Sequence, residues 1–229
     1  SGFSASNYLE QPYNSDLDFG TGDFCVMGWI KIVNATTAER LLVRQSTGGG
    51  ISFRIQSASS TGDLQIRLNA TTYYASTSVT DNTWKHIVVV RSSGTLYAYI
   101  NGVVDKIWAA TDDVNVGTPS LFVGVDASGV GAADSSNIAL LRISATAPSP
   151  EQIAKIYNDE KYLFQENAQA TLYGTSDAVT ALAHDDTTDL LHVGTSQGRS
   201  VFQGLRRVDN TTDAVGAAIS ALNGLVAEE

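Results

Sequence analysis

Along most of the chain, apolar and polar residues alternate with a period of two, the spacing of a strand with one face on a core. The clearest stretch runs from Trp84 to Asp105. There a β-branched run, Ile87 to Val90, meets the turn Ser92-Ser93-Gly94-Thr95; beyond it Leu96, Ala98 and Ile100 fall on one face and Tyr97 and Tyr99 on the other. Asn101-Gly102 then supplies a two-residue hairpin signal, so an antiparallel three-stranded meander is predicted. Phe24 to Lys31 is apolar on both faces and predicts a central strand. Leu41 to Arg44, Ile51 to Gln56, Leu64 to Leu68, Thr72 to Ala75, Leu121 to Val125 and Ile138 to Ser144 predict further strands, with Asp126 to Asn137 as a loop. Short strands divided by Gly-, Ser- and Asn-rich turns are the pattern of a sandwich or barrel, not of βαβ units. After them Ser149 is an N-cap, Pro150 a first helical residue, and Ile153, Ile156 and Tyr157 the apolar stripe of a short helix.

The pattern changes at Glu166. Val179 to Ala183, Leu190 to Gly194 and Arg199 to Gln203 predict a small meander around the turns Asp185 to Asp189 and Ser196 to Gly198. Three strands are marginal alone, so this segment is expected to need a partner. Beyond it Thr211-Thr212-Asp213 reads as a helix start, and Val215, Ile219, Leu222 and Val226 fall at heptad spacing. A C-terminal helix is expected, bundled about a symmetry axis or packed on its own domain, although Asn223-Gly224 weakens it. The expected organisation is a β-sandwich over 1–163, a meander and oligomerisation segment over 164–209, and a C-terminal helix over 210–229.

Composition narrows the function class. With 229 residues and a formal net charge of -10, the chain lacks the clustered Lys and Arg that phosphate binding requires, so nucleic acid is not an expected partner. The lone Cys25 sits in an apolar run, which excludes an intrachain disulfide and reads as a buried small hydrophobe. No apolar run approaches a membrane span, so membrane insertion is not expected. His86, His184 and His192 stand in strand contexts with no nucleophile and acid beside them and read as hydrogen-bonded structural residues.

The order Phe19-Gly20-Thr21-Gly22-Asp23-Phe24 with Trp29, Asn82-Thr83-Trp84-Lys85-His86, Leu96 to Gly102, and Ile138 to Ser144 followed by Ser149-Pro150-Glu151-Gln152-Ile153 resembles the laminin G-like and pentraxin-like group of concanavalin A-like lectins. The resemblance covers residues 1 to about 160 and implies an all-β jelly-roll sandwich, here followed by the meander and helix, whose relatives bind carbohydrate or protein, often with rim calcium. Where pentraxin-like members carry an acid and an amide, this chain has Gly48 to Gly50, and Ile138 to Ile143 lacks the family's acidic pair. Asp126, Asp134 and Asn137 are oxygens still available to a cation, which leaves calcium and the metal question open. Leu190 to Val208 resembles C-terminal segments of phage structural proteins that carry such domains.

No pair of alternating carboxylates suited to glycoside hydrolysis is present, so the chain is not expected to be an enzyme and no catalytic residue is assigned. Sugars are gripped by an aromatic platform with Asp, Asn and main-chain groups on their hydroxyls. Tyr73, Tyr74, Trp108, Asp112, Asp113, Asn115, Asp126, Asp134 and Asn137 are therefore the candidate ligand-binding residues. One of the two adjacent tyrosines must face outward. The expected protein is a non-enzymatic, lectin-like adhesion module of a phage tail fibre or spike, homotrimeric, made in the host cytoplasm and carried on the virion, binding a bacterial cell-surface glycan or protein. The alternative is a structural or decoration module with no small-molecule ligand.

Overall fold

A computed structural model describes residues 2–33, 37–46, 50–165, 170–176 and 178–229. It divides into two compact units, Ser1–Asp159 and Glu160–Glu229. In the first, the strands are β1 (Leu9–Gln11), β2 (Phe24–Ile32), β3 (Arg40–Gln45), β4 (Ile51–Ser57), β5 (Asp63–Leu68), β6 (Thr71–Ser78), β7 (Lys85–Ser92), β8 (Thr95–Ile100), β9 (Val103–Ala109), β10 (Ser120–Val123) and β11 (Ser136–Ser144), followed by α1 (Pro150–Glu160). A six-stranded sheet in the order β1-β10-β3-β4-β5-β6 faces a five-stranded sheet in the order β11-β2-β7-β8-β9, with every neighbouring pair antiparallel. This is the jelly-roll sandwich that the alternation predicts.

The core between the sheets follows the period of two. Phe24, Val26, Ile30 and Ile32 of β2 and Leu96, Ala98 and Ile100 of β8 meet Phe53, Ile55, Leu64, Ile66 and Leu68 of β4 and β5. The rings of Phe19, Phe24 and Phe53 stack at 5.4 to 6.2 Å. At one edge the layers are tied by Asp105 of β9, which accepts the Ser76 N–H of β6 at 2.6 Å and the Thr77 hydroxyl.

The opposite parity of the five-stranded sheet, Cys25, Met27, Val88, Val90 and Tyr99, forms a second apolar layer under Ile153 of α1. The helix begins where its sequence says it should. Ser149 Oγ accepts the Gln152 N–H at 3.3 Å while Gln152 Oε1 accepts the Ser149 N–H at 2.8 Å, a reciprocal cap. Trp29 is also on this outer side, stacked 5.8 Å from Tyr157. Burial there pushes the Cys25 thiol up to about 12, in keeping with a buried hydrophobe.

Two buried guanidiniums hold the segment that leads into β2. Arg91, fully buried, donates to the carbonyls of Gly20, Gly22 and Asp112 at 2.6 to 2.7 Å and lies 5.0 Å from the Phe24 ring centroid. Arg44, also fully buried, is paired with Asp18, whose carboxyl is held low by the Arg44 and Tyr13 hydrogen bonds.

The second unit contains β12 (Val179–Asp185), β13 (Leu190–Thr195), β14 (Gly198–Gln203) and β15 (Arg206–Asn210) in one sheet, and β16 (Ile219–Leu222) paired with β17 (Leu225–Glu228). The expected C-terminal helix over 210–229 is thus a β-hairpin. Asn223 and Gly224, at φ 53° and 79°, form the two-residue turn that their sequence favours and that a helix would have to suppress. The heptad pattern has another cause. Val215 and Ile219 are buried against Gly194, where an added Cβ would lie 2.8 Å from Val215 and 3.0 Å from Ile219. The hairpin packs on β12 and is part of one compact unit with the meander, so the division at 209/210 does not appear, and the first division falls after Asp159 rather than 163.

Two outcomes follow. Gly224→Ala leaves room for a methyl group but strains a left-handed residue, and is expected to destabilise the unit by about 1–2 kcal/mol in a urea titration. A helix would instead gain about 1 kcal/mol. Asp18→Asn is expected to cost about 2–3 kcal/mol, discounted from the fully buried case because the Asp18 side chain is 24% exposed. Because the folded-state pKa of Asp18 is lowered, its stabilisation is present above the ordinary carboxylate range and is lost as pH falls through the lowered value, an acid transition that the variant should blunt.

Candidate functional site

One outer face of the sandwich is apolar and carries α1; the other, on the six-stranded sheet, is mostly polar. Its composition follows from strand parity. Leu64, Ile66 and Leu68 of β5 point to the core, so Gln65 and Arg67 point away, as do Arg54 and Gln56 of β4 and Tyr74 of β6. The pairing register lines these residues up in two rows across the sheet. One row reads Phe122, Val43, Arg54, Arg67, Thr72 and the other Arg40, Gln56, Gln65, Tyr74. Residues directly opposite lie about 4.5–5.5 Å apart, so each row is a continuous polar surface at its β4 to β6 end.

The second row is a directed hydrogen-bond chain. Gln56 Nε2 donates to Gln65 Oε1, and Gln65 Nε2 donates to the Tyr74 hydroxyl at 2.7 Å. The Tyr74 oxygen is thereby an acceptor, which leaves its own proton to donate outward, and the side of the residue is 49% exposed. An exposed ring beside fixed amides and guanidiniums is an arrangement suited to a saccharide, with the ring against C–H groups and the polar heads on hydroxyls.

Charge on this face is uneven. Arg40 is paired with Asp126 and donates to the Val130 carbonyl at 2.6 Å, while Arg67 Nε donates to the Asn69 carbonyl at 2.8 Å. Between them Arg54 makes no hydrogen bond or ion pair among the described residues, and its Nε is buried without a partner. Burial, then the charges of Arg40 and Arg67, lower its pKa from the ordinary guanidinium value.

The candidates named from sequence divide into three places. Tyr74 alone is on the outer sheet face. Tyr73 turns to the core, 9% exposed, with its ring 5.5 Å from Trp108 and its hydroxyl donating to Asp112 at 2.9 Å. Asp112 also accepts from Thr71 at 2.6 Å, Asp113 accepts the Asn115 N–H at 2.9 Å, and Asn115 accepts the Gly20 N–H at 2.9 Å. These residues build a loop end, and the Tyr73 phenol is pushed up to about 12 by burial and Asp112. Asp126 is 7% exposed; its carboxylate accepts the N–H groups of Ser128 and Val130 at 2.9 Å and pairs with Arg40. Its oxygens are therefore committed to its own loop and to Arg40 rather than turned to a ligand. Asp134 is exposed, and Asn137 lies opposite Lys31 in the β11–β2 ladder. Gly48 and Gly49 of the compared calcium loop lie outside the described residues. Among the described residues no group of three His, Cys, Asp or Glu is gathered as a metal site, and no helix is long and apolar enough to cross a membrane.

Sequence reasoning missed Arg40, Arg54, Arg67, Gln56 and Gln65. Their alternation with Ile55, Ile66 and Leu68 was a usable signal for an outward face, but their mutual alignment depends on a register that crosses two strand pairings.

A family model for the concanavalin A-like lectin/glucanases superfamily, of laminin G type, matches residues 3–154. The chain belongs to this family. No curated protein matches it in sequence. Among solved structures, this lectin-like chain is similar to a heptameric pentraxin from Limulus polyphemus, at 16% identity and TM-score 0.53 over 69% of this chain and 81% of that one. It is also similar to the ligand binding domain of Botulinum neurotoxin serotype D in complex with N-acetylneuraminic acid, at 16% identity and TM-score 0.56 over 87% and 51%. Trypanosoma rangeli sialidase in complex with sialic acid matches at 11% identity and TM-score 0.53 over 69% and 27%. This lectin-like chain thus spans about half of the toxin domain and a quarter of the sialidase. At these identities the likeness is one of fold.

The two tyrosines are separable by measurement. Tyr73→Phe removes a buried donor from Asp112 and is expected to cost about 1 kcal/mol in denaturant titration, whereas Tyr74→Phe should stay within about 0.5 kcal/mol of the parent.

Proposed function

We propose that this chain is a non-enzymatic, lectin-like adhesion module of a phage tail fibre or spike, which binds a host cell-surface glycan through the outer face of its six-stranded sheet. The observation that carries this reading is the row Gln56, Gln65, Tyr74, a fixed donor chain ending on an exposed aromatic ring. Membership in a lectin-type superfamily and likeness to a toxin domain crystallised with N-acetylneuraminic acid support a sugar as the ligand. The module is homotrimeric on the virion, and its second unit serves assembly: Leu182, Leu222 and Leu225 stand 60%, 68% and 77% exposed there, apolar area that a neighbouring subunit would bury. The heptameric pentraxin is a precedent for self-association of the fold. The phage context rests on the likeness of Leu190 to Val208 to phage structural proteins.

A glycan array and host-cell binding assay with the intact chain test the ligand. Binding that Tyr74→Ala weakens by about tenfold or more is the expected result; absence of any glycan or cell binding favours the structural or decoration reading. Light scattering tests the assembly: the full chain should have three times the monomer mass, and a chain ending at Asp159 should be monomeric.

A further inference from the structure

Arg54 carries a charge that no hydrogen bond or ion pair among the described residues answers, and Asp126, whose charge also reaches it, is already paired with Arg40. On the strand beside it Arg67 stands directly opposite, a like-charge pair that weakens a sheet rather than stabilising it. Arg40, two positions away by register through Gln56, is already occupied by Asp126 and the Val130 carbonyl. Arg54 itself makes no hydrogen bond or ion pair among the described residues, and its Nε is shut off from water. A second polar atom on the same strand, the Oγ of Ser52, is fully buried and unpartnered, and so is the Oε1 of Gln56, a residue 5% exposed. A partly desolvated guanidinium opposed by another guanidinium is a local conflict, and folds keep such conflicts at sites that something else completes.

The chemistry of the missing partner is set by these groups. A guanidinium presents parallel N–H donors that fit two oxygens of a planar or tetrahedral anion. Tyr74 adds an outward hydroxyl donor and an aromatic ring in the neighbouring row, which a small inorganic ion would leave unused.

We propose that Arg54 and Arg67 form an anionic subsite on the outer face of the six-stranded sheet, which selects saccharides bearing a carboxylate or sulfate group next to the sugar held at Tyr74. This rests on the glycan-binding reading above and narrows it to acidic glycans. Binding places an anionic oxygen pair against the Nη end of the Arg54 guanidinium, which is not shut off from water as Nε is, and relieves its repulsion with Arg67. No bond is made or broken.

The test uses the full chain in titrations with three oligosaccharides of equal length: an oligogalacturonate, its carboxyl-reduced neutral counterpart, and a sulfated neutral oligomer. The expected result is that at least one acidic oligomer binds about tenfold or more tightly than the neutral one, with an affinity that falls as salt is raised. Carboxylate and sulfate arms show which anion is taken. Arg54→Gln should abolish the acidic preference, bringing the affinity for the acidic oligomers to within about twofold of that for the neutral oligomer in the same variant. Arg54→Met is the folding control: because the guanidinium makes no hydrogen bond or ion pair among the described residues and faces Arg67, the variant's melting temperature should equal or exceed the parent's. Equal binding of acidic and neutral oligomers, insensitive to Arg54→Gln, overturns the anionic subsite while leaving a glycan-binding face intact. A marked loss of melting temperature in Arg54→Met overturns it as well, by making Arg54 a structural residue. Binding of no oligosaccharide overturns both this proposal and the glycan reading.

Discussion

A two-layer sandwich has two outward faces, and each must be made compatible with water separately. In this chain the problem is solved differently on the two sides. On the five-stranded sheet both parities are apolar, so the outer layer of Cys25, Met27, Val88, Val90 and Tyr99 requires a cover, and α1 provides it through Ile153. On the six-stranded sheet the parity that turns away from the core is instead largely polar from β4 to β6, and it needs no helix. The proposed ligand-binding face follows from that asymmetry: a surface sealed by apolar packing is structural, and a surface lined with donors is open to a partner.

Inside this frame, charge is used in two distinct ways. Arg91 and Arg44 are fully buried, and through three carbonyls and through Asp18 respectively they pin the segment that leads into β2. Arg54 shares the side chain but not the environment. It faces Arg67 across the β4–β5 ladder and makes no hydrogen bond or ion pair among the described residues. The same physical rule, that a desolvated charge needs a partner, accounts for the first pair as scaffold and motivates the anionic subsite proposed at the last. Likewise Asp112 and Asp126, both acidic and both in loops, are answered within the chain and hold those loops in place.

The second unit shows how a local pattern can have two explanations. Val215, Ile219, Leu222 and Val226 have heptad spacing, but the spacing arises because Val215 and Ile219 lie against Gly194 while the later two straddle a hairpin turn. Thr211 continues pairing with Arg199 instead of capping a helix. Arg199 and Asp185 then hold the hairpin from the sheet, through Glu228 and the Gly224 N–H. Packing against a sheet edge outweighed a weak helical propensity interrupted by glycine.

Much of the first unit was legible without coordinates. Strand positions, the Asn101-Gly102 hairpin, the central place of β2 and the cap of α1 are short-range properties: each depends on side-chain parity, a turn type or a neighbouring hydrogen bond, and the residues involved are adjacent in sequence. The proposed binding face was not legible in the same way. Tyr73 and Tyr74 were recognisable as opposite-facing, but which of them met the core depended on the sheet that closed over them. Arg40, Arg54 and Arg67 come from three strands, and the alignment that sets them side by side is a matter of register and layer packing. Asn223-Gly224 carried the same hairpin chemistry as Asn101-Gly102, and tertiary packing of the residues around it, rather than their periodicity, selected the strand. Local backbone preferences are written in neighbouring residues, whereas electrostatic environment is the sum over residues brought together from far along the chain, and that sum exists only once the layers have formed.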